Sequence, residues 1–76
     1  MSDGQARPLS PRETEILVAI GEGLTLTQIA ERFGLSVKTV STHRGRLMEK
    51  LLLSKAIDTH STGALIRYAL KSGLVT

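Results

Sequence analysis

The sequence contains no cysteine and no tryptophan, and it has only one phenylalanine and one tyrosine in 76 residues. Without cysteine the chain can form neither a disulfide nor a thiolate metal site. No apolar run approaches the length of about 20 residues that a membrane-spanning helix needs. The first residues also lack the apolar stretch of a signal peptide. We therefore expect one small domain with a modest core and no membrane association.

Positive charge is concentrated in the middle of the chain. The formal net charge is +3, but residues 1–35 hold three arginines against five acidic residues. Residues 36–55 hold five lysines and arginines against Glu49 alone. Such a basic segment suggests a polyanionic partner. A solvated helix face gives the same pattern, and charge alone does not separate the two interpretations.

Capping signals and apolar spacing predict four helices and no strand, so the predicted fold class is all-α. Ser10 and Glu13 form a capping box before the first helix, and a pair of glycines shortly after residue 20 ends it. Thr25 and Gln28 form a second box, and Gly34 ends that helix.

The third helix is predicted to begin after Ser36 and to bury one apolar stripe. The residues of that stripe are Val37, Val40, Leu47, Met48 and Leu51. Residues 52–60 either extend this helix or form an irregular loop, and the local pattern leaves both open. The fourth helix is expected to begin near Ser61 or Thr62 and to end at Gly73.

A short helix, a turn over residues 34–36 and a longer helix with a polar outer face are typical of the helix-turn-helix motif. The motif spans about residues 26–45. Its second helix lies in the major groove of double-stranded DNA, with its N-terminal half near the base edges. Lys38, Ser41, Thr42 and Gly45 are spaced to form one ridge on that helix. The motif therefore predicts a DNA-binding domain.

The candidate DNA contacts divide into base contacts and phosphate contacts. Ser41 and Thr42 carry hydroxyls that can form hydrogen bonds with bases, and Gly45 lets the duplex approach closely. Random sequence drift at a surface position that tolerates substitution is the alternative explanation of Gly45. Arg44 lies at the edge of the apolar stripe, with its stem across the core. An ordinary surface residue is the competing interpretation of Thr27. The predicted phosphate contacts are Lys38, Thr27, Thr39, Arg44, Arg46 and Lys50.

No pattern in the sequence indicates catalysis. The only histidines are His43 and His60, no acidic cluster surrounds them, and we interpret His43 as structural. Neither a glycine-rich phosphate loop nor a nucleophile motif is present. We therefore expect no enzyme, no metal ion and no cofactor.

Ordered blocks from residue 8 to residue 76 resemble the LuxR/FixJ (GerE-type) output domain of bacterial transcription regulators. The blocks are Leu9–Glu13, Gly23–Thr25, Gln28–Glu31, Leu35–Val40, Lys38–Arg44, Ala64–Leu70 and Gly73–Val75. The resemblance implies a four-helix, wingless helix-turn-helix domain over residues 8–76, preceded by a flexible tail over residues 1–7. The DNA-contacting positions of the family fall on Lys38, Thr39, Ser41, Thr42, Gly45 and Arg46.

The resemblance also implies a biological role. Members bind promoter DNA sequence-specifically in the bacterial cytoplasm, often as homodimers through the last helix, and regulate transcription. The Ser41-Thr42 pair followed by Arg44 and Arg46 resembles a subset found in response regulators of two-component systems. RNA polymerase is a further expected partner.

Two departures from the family pattern concern the region before the last helix. About six extra residues fall within 52–59, and Ala64 replaces the acid that usually completes a capping box. Apart from these departures, two alternatives stay open. One is a promoter-binding module like region four of sigma factors, which acts with RNA polymerase. The other is a protein-interaction module on a helix-turn-helix shell, favoured if Leu52, Leu53, Ala56 and Ile57 form an exposed patch.

Overall fold

The computed structural model describes residues 9–75, and this part of the chain contains four α-helices and no strand. The helices are α1 (Pro11–Gly21), α2 (Leu26–Phe33), α3 (Val37–Leu53) and α4 (Thr62–Lys71). The predicted all-α class and all four predicted helices are thus confirmed. The expected tail at residues 1–7 lies outside the described residues.

Each helix begins at a hydroxyl side chain that accepts a hydrogen bond from the backbone amide three residues later. These N-caps are Ser10, Thr25, Ser36 and Ser61. In α1 and α2 the box is reciprocal, because Glu13 and Gln28 each accept the backbone N–H of their own cap at 2.8 Å. The α4 cap has no such return bond, since Ala64 stands where a carboxylate would reach back. Each cap stabilises its helix by about 1 kcal/mol.

The core forms where α1 packs against the other three helices and α2 packs against α3. The largest fully buried side chains are Ile16, Leu17, Ile29, Val40, Leu47, Met48 and Leu65. They come from all four helices, so no helix buries its apolar face without the others. This shared core fixes α3 relative to α1 and α2.

The last turn of α1 lies unusually close to α4 and to the end of the chain. A methyl group placed on Gly21 would lie 2.8 Å from Cβ of Ala69 and 3.0 Å from a methyl of Val75. Beyond α4 the chain folds back, because the N–H groups of Leu74 and Val75 both donate to the carbonyl of Ala69, at 3.0 and 3.3 Å. Only glycine fits at residue 21 without a shift of these neighbours.

Residues 52–60 combine both expected conformations. Helix α3 continues to Leu53, and an irregular segment then leads to α4. Ser54 follows as the C-cap, and Lys55, the next residue, has the left-handed φ of 64° that glycine normally supplies after a helix. The four apolar residues of this region do not form one patch: Leu53 is 77% exposed and Ala56 is exposed, whereas Ile57 belongs to the core. The feature that would have favoured a protein-interaction module is therefore reduced to Leu53 and Ala56.

Within residues 9–75, every helix is too short or too polar to cross a bilayer.

Candidate nucleic-acid interface

Helices α2 and α3 are joined by a tight turn that begins at a left-handed glycine. Gly34 has φ 67° and ψ 34°, which costs a residue without a side chain almost nothing. The N–H of Leu35 donates back to the carbonyl of Ala30 at 2.9 Å, and Ser36 then caps α3. Because α2 packs against α3, the pair forms the predicted helix-turn-helix motif.

Helix α3 has a buried side and an exposed side. Val40, Leu47 and Met48 are fully buried and Leu51 nearly so. The outer face is exposed, as predicted, and consists of Lys38, Ser41, Thr42, Gly45, Arg46 and Glu49. The prediction that Val37 belongs to the buried stripe is wrong, since its side chain is 43% exposed. As the first residue of the helix, Val37 lies beyond the turns that the other helices cover.

The hydroxyl groups at the start of α3 differ in which of their hydrogen-bonding groups remain free to contact a ligand. Ser36 Oγ accepts the backbone N–H of Thr39 at 3.0 Å and donates to the Thr39 hydroxyl at 2.9 Å. The hydrogen of the Thr39 hydroxyl therefore remains available to donate outward. Thr42 Oγ1 donates to the carbonyl of Lys38 at 3.0 Å, so only its methyl group and its oxygen lone pairs remain free to contact a ligand.

The predicted phosphate contacts do not all lie together. Lys38 and Arg46 lie on the outer face of α3. Arg44 is half-buried, and its Nη2 donates to Thr62 Oγ1 at 2.6 Å, which ties α3 to the first turn of α4. Thr27 is exposed in the first turn of α2, the other helix of the motif. His43 is half-buried.

Lys50, also predicted to contact phosphate, forms an ion pair within the protein. Its Nζ lies 2.7 Å from a carboxylate oxygen of Glu13, whose side chain is only 6% exposed. Burial raises the pKa of Glu13, but hydrogen bonds from Lys50 and from Ser10 outweigh it, and the pKa of Glu13 lies below its ordinary value. The ion pair thus joins the capping box of α1 to α3. Sequence reasoning did not find this pairing, because the two residues are 37 positions apart and no local pattern links them.

No group of three or more histidine and acidic side chains close enough to hold a metal ion occurs among residues 9–75. The fold and the exposed face of α3 define a helix-turn-helix domain of the DNA-binding class.

The chain belongs to the luxR family of bacterial regulatory proteins, whose family profile matches residues 7–69. It is 38% identical over 58 residues to the transcriptional regulatory protein UhpA of Escherichia coli K12, a match that covers 76% of this chain and 30% of UhpA. It is 42% identical over 69 residues to the transcriptional regulatory protein MctR of Rhizobium johnstonii, covering 91% of this chain and 29% of MctR.

A third relative, the uncharacterized response regulatory protein YgeK of Escherichia coli K12, is 45% identical over 75 residues, or 99% of this chain and 45% of YgeK. The chain thus spans less than half the length of these curated relatives. No solved structure matches it significantly. The family assignment makes this a domain for DNA binding and transcription regulation.

Proposed function

We propose that the chain binds specific double-stranded DNA sequences by placing the outer face of α3 in the major groove. The observation that supports this proposal is the orientation of α3. Its apolar side is buried, whereas the side that carries Lys38, Thr42 and Arg46 is exposed. An α-helix with small and basic outward side chains fits that groove.

The exposed residues divide into two kinds of proposed contact. Lys38 and Arg46 bind phosphates, which supplies affinity without reading the sequence. Ser41 and Thr42 face base edges, and Thr42 acts through its methyl group or as an acceptor, because its hydroxyl hydrogen is bound to the helix backbone. At Gly45 an added methyl group would meet no protein atom within 4 Å other than the adjacent backbone of α3, which leaves room for DNA.

Peripheral contacts are assigned from the remaining geometry. Thr39 can donate its free hydroxyl hydrogen to a phosphate, and Arg44 keeps guanidinium N–H donors beyond the one that Thr62 accepts. Thr27 is a separate candidate on α2. We leave Lys50 out of the proposed contacts, because its ammonium group is occupied by Glu13.

We further propose that two copies associate through α4. Leu70 is 52% exposed on this helix, and Leu74, just beyond its end, is 38% exposed. Ile66 is half-buried one turn before Leu70 and extends the same apolar ridge. Burying such a ridge against a second copy removes apolar surface from water. Leu70→Glu should therefore shift the chain toward monomer in sedimentation velocity, whereas Lys71→Glu, which is exposed on a different flank of α4, should not.

At the level of the whole protein, we propose the output domain of a larger response regulator in the bacterial cytoplasm. The relatives are regulatory proteins, and the matched regions make up only 29–45% of their lengths, which supports a further signal-receiving domain. In this role the chain is a binding domain rather than an enzyme, and RNA polymerase is its proposed protein partner at the promoter.

Selection of bound duplexes from a random DNA pool tests the proposal. The chain should enrich a defined motif, and the spacing of half-sites in that motif should report the dimer. Lys38→Ala and Arg46→Ala should each weaken binding to all duplexes and reduce the salt dependence of log K by about one unit of slope. Lys71→Ala, which removes the same charge from the last turn of α4, serves as the control.

Two outcomes would contradict this proposal. Equal binding of random and enriched duplexes would remove sequence specificity. Enrichment that occurs only when RNA polymerase is added would favour the sigma-like alternative.

A further inference from the structure

Val37 is an exposed apolar side chain at the N-terminal end of α3. This is the end of the helix that we propose to enter the major groove. The apolar residues on its side of the helix, Val40 and Met48, are fully buried, whereas Val37 is 43% exposed. Neither burial in the core nor helix propensity favours a valine at this position. β-Branched residues are weak helix formers, and the dipole favours acidic side chains in the first turn.

The neighbours of Val37 place it beside the proposed reading residues. Ser41 follows four positions later and therefore lies on the same flank, one turn further along α3. Lys38 is the next residue, and its carbonyl holds the Thr42 hydroxyl at 3.0 Å. The start of α3 thus offers two methyl-bearing side chains, Val37 and Thr42, on either side of a lysine.

These two side chains are far enough apart to meet different base pairs. Five residues of α-helix rise about 7.5 Å, and successive bases of one strand are separated by about 3.4 Å. In the major groove, the C5 methyl of thymine is the apolar group that an aliphatic side chain contacts. Valine has no hydrogen-bonding group in its side chain, so methyl contact is the one discrimination it can make.

We propose that Val37 is a specificity-determining residue that contacts the C5 methyl of a thymine, at a base pair other than the one read by Thr42. The inference rests on the placement of α3 in the major groove. It adds a contact that the polar ridge of α3 does not include.

Single deoxyuridine substitutions in the selected duplex test this contact, because they remove one C5 methyl and leave base pairing intact. The wild-type chain should bind about fourfold more weakly at each thymine whose methyl it contacts, the effect of one methyl-sized group. In Val37→Ala the loss should disappear at one thymine only. In Thr42→Ser, which keeps the hydroxyl, it should disappear at a different thymine.

Val18→Ala is the matched control, because Val18 is a half-buried valine on α1. This variant should keep every deoxyuridine effect of the wild type. Thermal melts of all variants confirm that binding is measured on folded protein. Retention of every deoxyuridine effect in Val37→Ala would overturn the inference, as would a selected motif without a methyl-sensitive thymine.

Failure of the inference and failure of the proposed function are distinguishable. If Val37 has no reading role but α3 binds DNA, Lys38→Ala still weakens binding while Val37→Ala changes no base preference. If the wild-type chain binds no duplex, the proposed function fails and this inference fails with it.

Discussion

Replacing Gly45 by alanine should stabilise the fold and weaken DNA binding at the same time. Gly45 lies in the interior of α3, where alanine is favoured over glycine by about 1 kcal/mol. The new methyl group would meet no protein atom within 4 Å other than the adjacent backbone of α3, so no steric penalty offsets that gain. The melting temperature should rise by roughly 4–8 °C, the effect of about 1 kcal/mol on a domain of this size.

The same methyl group would occupy the surface that we assign to DNA. Crowding of a packed interface by one methyl costs about 1 kcal/mol or more, which corresponds to a roughly fivefold increase in Kd. Thermal melts followed by circular dichroism and fluorescence anisotropy with the selected duplex measure the two effects on one sample.

Gly63→Ala is the control for this prediction. A methyl group there would be in ordinary contact, 3.8 Å from the guanidinium of Arg67, and lies on α4 rather than on α3. This variant should be at least as stable as the wild type and should bind DNA with unchanged affinity. If Gly45→Ala gains stability and keeps the wild-type Kd, the close approach of DNA to Gly45 is refuted.

Three further predictions concern stability. Gly21→Ala should destabilise the fold by about 1–3 kcal/mol in urea unfolding, because its methyl would lie 2.8 Å from Ala69; an unchanged midpoint would contradict this packing. Lys55→Gly should stabilise it by about 1 kcal/mol, since φ of 64° strains a residue with a side chain; equal or lower stability would argue against a left-handed end of α3. Glu13→Gln should lower stability at neutral pH and flatten its fall toward acid.

The sign of the acid effect follows from the pKa of Glu13, which is lower in the folded chain than its ordinary value. The ion pair with Lys50 therefore stabilises the fold above the ordinary carboxyl range, and this contribution is lost as the pH falls through the folded-state pKa. Urea titrations between about pH 7 and pH 3 should show a steeper loss for wild type than for Glu13→Gln. Parallel curves would contradict the ion pair.

Features set by local chemistry could be predicted from the sequence. The starts of α1 and α2 follow from capping boxes, in which Ser10 and Glu13, or Thr25 and Gln28, are three positions apart. The turn before α3 follows from Gly34, because few other residues adopt its backbone conformation without strain. The outer face of α3 follows from helical periodicity alone.

Features that depend on distant neighbours could not be predicted. The stripe that contains Val37 has the right spacing, but only the packed structure shows that its first residue lies beyond the core. The partner of Lys50 is equally invisible to a local pattern, so a lysine predicted to bind phosphate is engaged by Glu13. In the 52–60 segment, Ile57 is buried while Leu53 is exposed, a difference that tertiary contacts decide.

Chemical-shift mapping of the isotope-labelled chain with the selected duplex tests the central claim most directly. We expect the largest perturbations at residues 38–46, on the exposed side of α3, with small changes on the outer surface of α1. Tight binding of the duplex without perturbation of residues 38–46 would contradict the placement of α3 in the major groove.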